Sequence, residues 1–463
     1  MQFIQVYDPG VSQYAYILGC ENTKKAIIID PQRHIDKYLQ IADEKGLKIT
    51  AVTETHIHAD FLSGSKEFNK ILGIQVYLSS HGENDGWGYE WAKSVSNVTK
   101  IKNGDTIAVG DITLEVVHTP GHTPEHVTYL ITTEGQDIPM GAITGDFVFV
   151  GDLGRPDLLE KAAKQDGKMQ EGARDLHKSV SDFKNRPDRL LIWPGHGAGS
   201  ACGKSLGSMP HSSWGYEKET SPALQYDNKD DFIDFITDAQ KEPPLYFTRM
   251  KNLNKNGAPL LTHKELRTLT AAEVRPFINN KNILFVDIRG DRVKAMETRA
   301  RNVFYASFIS MSTAVGSMIE ANDKKIILVG AKNHAIEAAT RLNNIGYDYI
   351  EGFVKADVFT SCLGDDTKTS IPVTDFEAIG NNIKTEGLTI VDVRSQPEYD
   401  KRHIQGAIHA PYTRLPEYLD QLPKDKTLHV HCGSGQRASI SSSYLNMQGY
   451  DVILINDMFS NAP

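Results

Sequence analysis

Short apolar runs alternate with polar turns through residues 1–200, and most runs are too brief for helices. Ala26-Ile27-Ile28-Ile29-Asp30, Ile112-Thr113-Leu114-Glu115-Val116-Val117 and Leu190-Leu191-Ile192-Trp193 each read as a strand ending at a polar loop. Leu158 to Phe183 mixes charges with apolar residues at helical spacing, which predicts one or two helices. From Gly203 to about Gly257 the chain turns polar and rich in Pro, Ser and Lys, as expected of a peripheral region and a domain boundary.

The remainder repeats itself. Val286-Asp287-Ile288-Arg289 recurs as Val391-Asp392-Val393-Arg394, and Gly346-Tyr347-Asp348 as Gly449-Tyr450-Asp451. Each copy starts with a β-run and ends with a helix, Gly-Tyr-Asp and another β-run. That order predicts a small α/β unit with a parallel sheet, present twice. With the first region this gives three domains, expected at 1–257, 258–365 and 366–463. A chain of 463 residues is too long for one ordinary core, in keeping with that division.

Composition narrows the class only modestly. With 40% apolar and 24% charged residues and a net charge of −9, no nucleic-acid or membrane partner is expected. No stretch approaches the roughly 18 apolar residues of a membrane span, and Met1-Gln2-Phe3-Ile4-Gln5 does not begin like a signal peptide. The four cysteines, Cys20, Cys202, Cys362 and Cys432, are widely separated, which argues against a disulfide framework and fits a reducing cytoplasm.

Candidate chemistry sits at strand ends. Thr55-His56-Ile57-His58-Ala59-Asp60-Phe61 follows an apolar run, and in an extended loop His56 and His58 point the same way, with Asp60 within reach. Thr119-Pro120-Gly121-His122-Thr123-Pro124, Thr144-Gly145-Asp146 and Trp193-Pro194-Gly195-His196-Gly197 supply further ligand-type residues just after strands. One such histidine is usually a packing or surface residue; four segments in succession point to a metal centre.

This order of motifs resembles the metallo-β-lactamase superfamily, over about residues 1–210. The resemblance implies an αββα sandwich with metal ligands on loops at one edge. Many hydrolases of that superfamily hold a second metal with a histidine directly after the aspartate, where this chain has Phe61. A depleted site suits one metal bound by two imidazoles and a carboxylate, the facial set of non-heme Fe(II). Persulfide dioxygenases of the superfamily work in this way. Their motifs, carried over, give His56, His122 and Asp146 as ligands of one Fe(II) per chain. His58, Asp60 and His196 are then expected behind the ligands. Gly151-Asp152-Leu153-Gly154-Arg155-Pro156-Asp157 resembles a Gly-Arg-x-Asp segment of the same enzymes. There Arg155, paired with Asp157, is expected to fix a ligand and bind an anionic thiol carrier. Cys202, in a glycine-rich loop after His196, is expected either to carry sulfane sulfur beside the metal or to be a small buried thiol.

Leu428-His429-Val430-His431-Cys432-Gly433-Ser434-Gly435-Gln436-Arg437 runs from a strand into a glycine-rich loop and the helical pattern Ala438 to Met447. Backbone N–H groups and a helix start around Cys432 favour its thiolate, and Arg437 adds a cation for an oxyanion. With Asp392-Val393-Arg394 and His403-Ile404-Gln405-Gly406-Ala407-Ile408, this region resembles an active rhodanese. The resemblance implies attack of Cys432 on sulfane sulfur, with the persulfide held by Gly433, Ser434, Gly435 and Gln436. The matching stretch of the preceding copy, Ile326-Ile327-Leu328-Val329-Gly330-Ala331-Lys332-Asn333-His334, has neither cysteine nor arginine. It resembles a rhodanese that has lost its nucleophile.

The expected architecture is therefore a multidomain α/β and α+β chain: a metallo-β-lactamase sandwich followed by two rhodanese-like domains. The expected function is sulfide detoxification, with a thiol persulfide, O2 and sulfite as partners, thiosulfate as product, and a persulfide-carrying protein as an alternative sulfur donor. Glutathione, coenzyme A, bacillithiol and a protein persulfide stay open as the thiol. Several copies are expected to associate, the nucleophile-free domain offering a contact surface. Two rivals remain: a glyoxalase II-type dinuclear zinc thioester hydrolase fused to a rhodanese, and a non-catalytic persulfide carrier.

Overall fold

Alternation within Lys25–Ile29 builds the first layers. Ile27 and Ile29 join Tyr16, Leu114, Val116 and Tyr129 in a core between two sheets, while Ala26 and Ile28 face Tyr38 and Phe68 on the opposite side. The computed structural model describes residues 1–161, 167–238, 240–262, 264–321, 324–385 and 387–463. Six strands, from Gln2–Asp8 to Val98–Ile101, lie in sequence order in the first sheet. The second also has six, in the order Ser212–Ser213, Leu191–Pro194, Gly141–Gly145, Val127–Thr133, Ile112–His118, Thr106–Val109. Helices Asp36–Glu44 and Ser65–Leu72 cover the outer face of the first sheet, and Lys168–Phe183 and Lys229–Thr237 that of the second. The result is an αββα sandwich with three apolar layers.

The predicted strands lie within a residue or so of Lys25–Ile29, Ile112–His118 and Leu191–Pro194. Leu158 to Phe183 contains two helices, Leu158–Lys161 and Lys168–Phe183, with 162–166 outside the described residues. The polar stretch after Gly203 is not peripheral. It forms helices Trp214–Thr220, Lys229–Thr237 and Phe247–Asn256, whose Trp214, Phe232, Phe247 and Met250 are all at most 1% exposed. A few large side chains at helical spacing secure this segment, and mean polarity conceals them.

The chain forms two compact units, 1–243 with 247–261 and 244–246 with 262–463. In the second unit each repeat carries its own parallel sheet, of four and five strands. The repeated Val-Asp-x-Arg motif is structural. At the end of Ile283–Asp287 and again of Thr389–Asp392, the aspartate grips the arginine two residues on, at 2.6 Å in both copies. The copies diverge at the next strand. Lys325–Val329 is followed by only Gly330 and Ala331 before helix Lys332–Asn344, whereas Leu428–His431 is followed by Cys432 through Gly435 before helix Gln436–Met447. The first copy has lost the cradle as well as the nucleophile. Among the described residues no helix is long and apolar enough to cross a membrane.

Candidate metal centre and thiol site

Three strand ends deliver the first group. His56 follows Lys48–Thr53, His122 follows Ile112–His118, and Asp146 follows Gly141–Gly145. Gly145 has φ +50°, and a Cβ there would meet Thr55 Oγ1 at 2.5 Å, so glycine is required for the close approach of these loops. The nearest ligand atoms of His56, His122 and Asp146 lie within 4.8 Å of one another, and all three residues are buried.

Hydrogen bonds fix the tautomers. Thr55 Oγ1 donates to Asp30 Oδ2 at 2.9 Å and so accepts from His56 Nδ1, also at 2.9 Å. His122 Nδ1 donates to the Arg155 carbonyl at 3.1 Å. Both Nε2 lone pairs are thereby turned toward Asp146 Oδ2, at 3.8 and 3.4 Å. Burial, reinforced by His58, holds His56 well below the ordinary imidazole range, and burial lowers His122 too. Burial works against the Asp146 carboxylate, yet the charged His196 beside it keeps its carboxyl well below the usual range. Asp146 Oδ2 has no hydrogen-bond partner. Two neutral imidazole lone pairs and an unpartnered buried carboxylate oxygen converge with no donor among them, which is unfavourable unless a cation lies between. The residues fit a divalent metal, and their number and type match the facial set that suits Fe(II).

His58 does not join them. Its Nε2 lies 3.1 Å from Asp30 Oδ1, and its pKa is raised because Asp30 outweighs the opposing effect of burial. Its ring packs on Phe61, with centroids 4.3 Å apart, and Phe61 is fully buried. Asp60, His196 and Cys202 form a second group within 4.8 Å. His196 bridges two carboxylates, Nδ1 to Asp146 Oδ1 and Nε2 to Asp60 Oδ2, both at 2.8 Å. Burial opposes its charged form, but the two carboxylates raise its pKa well above the ordinary value. Cys202, 2% exposed, is folded back against this pair, and burial followed by Asp60 pushes its thiol up.

The expected contact of Arg155 with a thiol carrier needs correction. Its guanidinium is 1% exposed and spent within the fold, on Asp157 at 2.7 and 2.6 Å and on the carbonyls of Ala201 and Lys241. Arg155 instead orients His122 through its own carbonyl and ties down the loop before Cys202. Arg155→Ala strands a buried carboxylate, so a loss of about 3–5 kcal/mol is expected. Thermal denaturation of the metal-free protein should show this as a lower Tm; an unchanged Tm would refute it.

Sequence reading missed several residues. His126 Nε2 accepts the Asp146 N–H at 3.0 Å while its Nδ1 meets Thr119 Oγ1, so it orients the carboxylate ligand. Burial lowers its pKa to about 3. Glu125 accepts the Ile57 N–H at 2.7 Å, and burial raises its carboxyl to about 7. His-Thr-Pro-Glu-His, residues 122–126, was the available signal.

In the second unit Cys432 is 1% exposed at the mouth of its loop. Gly435 starts the following helix at φ +84°, and Asn456 Oδ1 leaves no room for a Cβ there. Arg437 sits beside the loop, its Nη2 3.2 Å from where a Gly433 Cβ would lie, but it is also paired through two bonds, 2.6 and 2.7 Å, with Glu398. Its charge is thus largely neutralised before any oxyanion arrives. The Gln436 amide is engaged as well, with Ser307 and Ser310 of the nucleophile-free copy, and Arg292 of that copy donates to the Ser434 carbonyl. Burial works against the Glu398 carboxylate, but Arg437 lowers its pKa to about 2. A depressed carboxyl contributes stability above its unfolded value and loses that contribution as pH falls toward the folded one. The Tm advantage of the wild type over Glu398→Gln should therefore be full above pH about 4.5 and shrink toward pH about 2. A difference independent of pH would contradict the pairing.

Comparison with known proteins agrees with this geometry. The metallo-beta-lactamase superfamily model matches residues 8–196 and the rhodanese-like domain model residues 375–460. A crystal structure titled as a metallo-beta-lactamase from Staphylococcus aureus is 38% identical, with TM-score 0.68, covering 77% of this chain and 99% of that one. This chain belongs to the metallo-β-lactamase superfamily and carries a rhodanese-like domain after it. Mouse mitochondrial persulfide dioxygenase ETHE1 is 30% identical over 197 residues, 42% of this chain and 66% of that protein. The probable polyketide biosynthesis zinc-dependent hydrolase BaeB of Bacillus velezensis is 26% identical over 233 residues, 50% of this chain and 90% of that protein.

Proposed function

We propose that the chain is a persulfide dioxygenase and sulfurtransferase in one polypeptide. At the first site a thiol persulfide, O2 and water become thiol, sulfite and two protons, the terminal sulfur supplying four electrons to O2. At the second, the Cys432 thiolate attacks the outer sulfur of a thiol persulfide, whose S–S bond breaks to release the thiol and leave a persulfide on Cys432. Sulfite attacks its outer sulfur, the S–S bond breaks toward Cys432, and thiosulfate leaves. One observation carries this reading: two neutral imidazoles and one unpartnered carboxylate oxygen converge, while His58 lies against Asp30 and His196 is bonded to both Asp60 and Asp146. A bound Fe(II) would supply open positions and one-electron chemistry toward O2. Around it, Thr55 and Arg155 hold the imidazole tautomers, His126 and His196 hold Asp146, and Phe61 closes the His58 side with an apolar wall.

The competing reading is a dinuclear hydrolase, favoured by the second group Asp60, His196 and Cys202 and by the likeness to a zinc-dependent hydrolase. Anaerobic Fe(II) loading followed by O2 uptake and sulfite and thiosulfate analysis separates the two, using glutathione, coenzyme A and bacillithiol persulfides. One iron per chain with O2 uptake matching sulfur oxidised is expected. Two zinc ions and no O2 uptake would overturn the dioxygenase.

A further inference from the structure

We infer that Asn254, well outside the metal-binding motifs, is a positioning residue for the metal loop; this rests on reading His56, His122 and Asp146 as a metal centre. Helix Phe247–Asn256 buries Phe247, Met250, Lys251 and Asn254, a single face at helical spacing. Packing alone would favour an apolar side chain at 254. Asn254, 5% exposed, instead spends its whole amide on one loop. Its Nδ2 donates to the carbonyls of His58 and Phe61, both at 2.7 Å, and its Oδ1 accepts the Ser63 N–H at 2.9 Å.

That loop needs such a partner. Between strand Lys48–Thr53 and helix Ser65–Leu72 its strand-type pairing is one isolated bridge, Ser63 with Gln32, yet it is buried and bears His56, His58, Asp60 and Phe61. Buried carbonyls without donors are costly, so an irregular buried loop holds its shape only where side chains replace the missing ladder. Glu125 takes the N–H of Ile57, Arg33 N–H takes the carbonyl of Leu62, and Asn254 takes the three groups at 58, 61 and 63. The bracket spans Asp60, so it sets where Asp60 meets His196, which in turn holds Asp146. The same helix places Lys251 3.7 Å from the Trp87 ring centre, and the segment after it is tied by Lys66 Nζ to the Ala258 carbonyl at 2.6 Å. Those contacts dock the segment; Asn254 reaches the loop's backbone on both sides of Asp60.

The test is Co(II) binding to the full chain, followed by titration and by the visible absorption of the bound ion. Asn254→Leu, similar in volume and without hydrogen bonds, should weaken Co(II) binding about 10- to 100-fold, as loss of groups behind metal ligands does, and alter the spectrum. Lys66→Ala, which loosens the same segment without touching the loop, should leave both unchanged. Should Asn254→Leu not fold, Asn254→Asp keeps the acceptor to Ser63, removes both donors, and should shift affinity in the same direction. Wild-type affinity and spectrum in the Asn254 variant that folds would overturn the inference. So would an equal loss in Lys66→Ala, which would assign the effect to docking of the segment. A wild-type protein that binds no Co(II) would overturn the metal centre itself, and the inference with it.

Discussion

Asp146→Asn should empty the metal centre and lower O2 uptake by more than about 100-fold, the upper end of what loss of a group merely supporting a ligand costs. The substitution preserves shape but removes the one formal negative charge from a set whose other members are neutral imidazoles. It also disturbs the chain behind the ligand. His196 donates to Asp146 and to Asp60, and with an amide at 146 it keeps only one carboxylate partner while remaining buried. Metal analysis after dialysis and O2 uptake with a thiol persulfide should both fall. Thiosulfate-dependent sulfur transfer through Cys432 should survive, because that site uses none of these groups. Retention of one metal per chain with ordinary O2 uptake would remove Asp146 from the ligand set.

How far the sequence reached follows from how local each signal is. His56, His122 and Asp146 were legible because each lies in the loop that leaves a strand, so primary order already puts them at one edge of a sandwich. The family resemblance puts His58 behind the ligands, whereas spacing alone would let His58 converge with His56 on one cation. Their rings are indeed neighbours, 4.2 Å apart, but His58 turns to Asp30, a residue at the end of another strand. Asp30, Thr55 and His126 were not legible. Their roles rest on hydrogen bonds to groups up to 25 positions away along the chain, for which no spacing rule exists. Arg155 failed differently. An arginine beside a candidate site reads as an anion receptor until burial shows its donors already spent. The polar stretch after Gly203 hid three helices and Asn254, since average composition is insensitive to four buried positions on one helical face.

The repeat was the most reliable organising signal, and its divergence was readable in part. The missing cysteine and arginine of the first copy were plain. That its loop is also shorter, with the helix starting at Lys332 straight after Ala331, needed the backbone. The contacts made by Ser307, Ser310 and Arg292 give this copy a physical part in holding the Cys432 loop, although it lacks a nucleophile of its own.

Cys432→Ser should abolish thiosulfate formation and leave sulfite as the oxidised product, with O2 uptake unchanged. A serine hydroxyl fits the same loop, so the glycine turn at 435, the Arg437–Glu398 pair and the helix Gln436–Met447 should be retained. What disappears is the chemistry: an alkoxide is not accessible near neutral pH, and no persulfide can form on oxygen. Sulfite then accumulates at one per O2, because persulfide, O2 and water balance to thiol and sulfite without Cys432. On the proposed function the two sites share a chain, so sulfite should be released at a high effective concentration for the Cys432 persulfide without any added contact. Mixing Cys432→Ser with Asp146→Asn should therefore restore thiosulfate only partly at low protein concentration, and increasingly as concentration rises. Loss of O2 uptake in Cys432→Ser would show that sulfur must pass through Cys432 before oxidation, and the order of the two steps would have to be reversed. Persulfidation of Cys432 in wild type with no O2 consumed would instead identify the chain as a sulfur carrier.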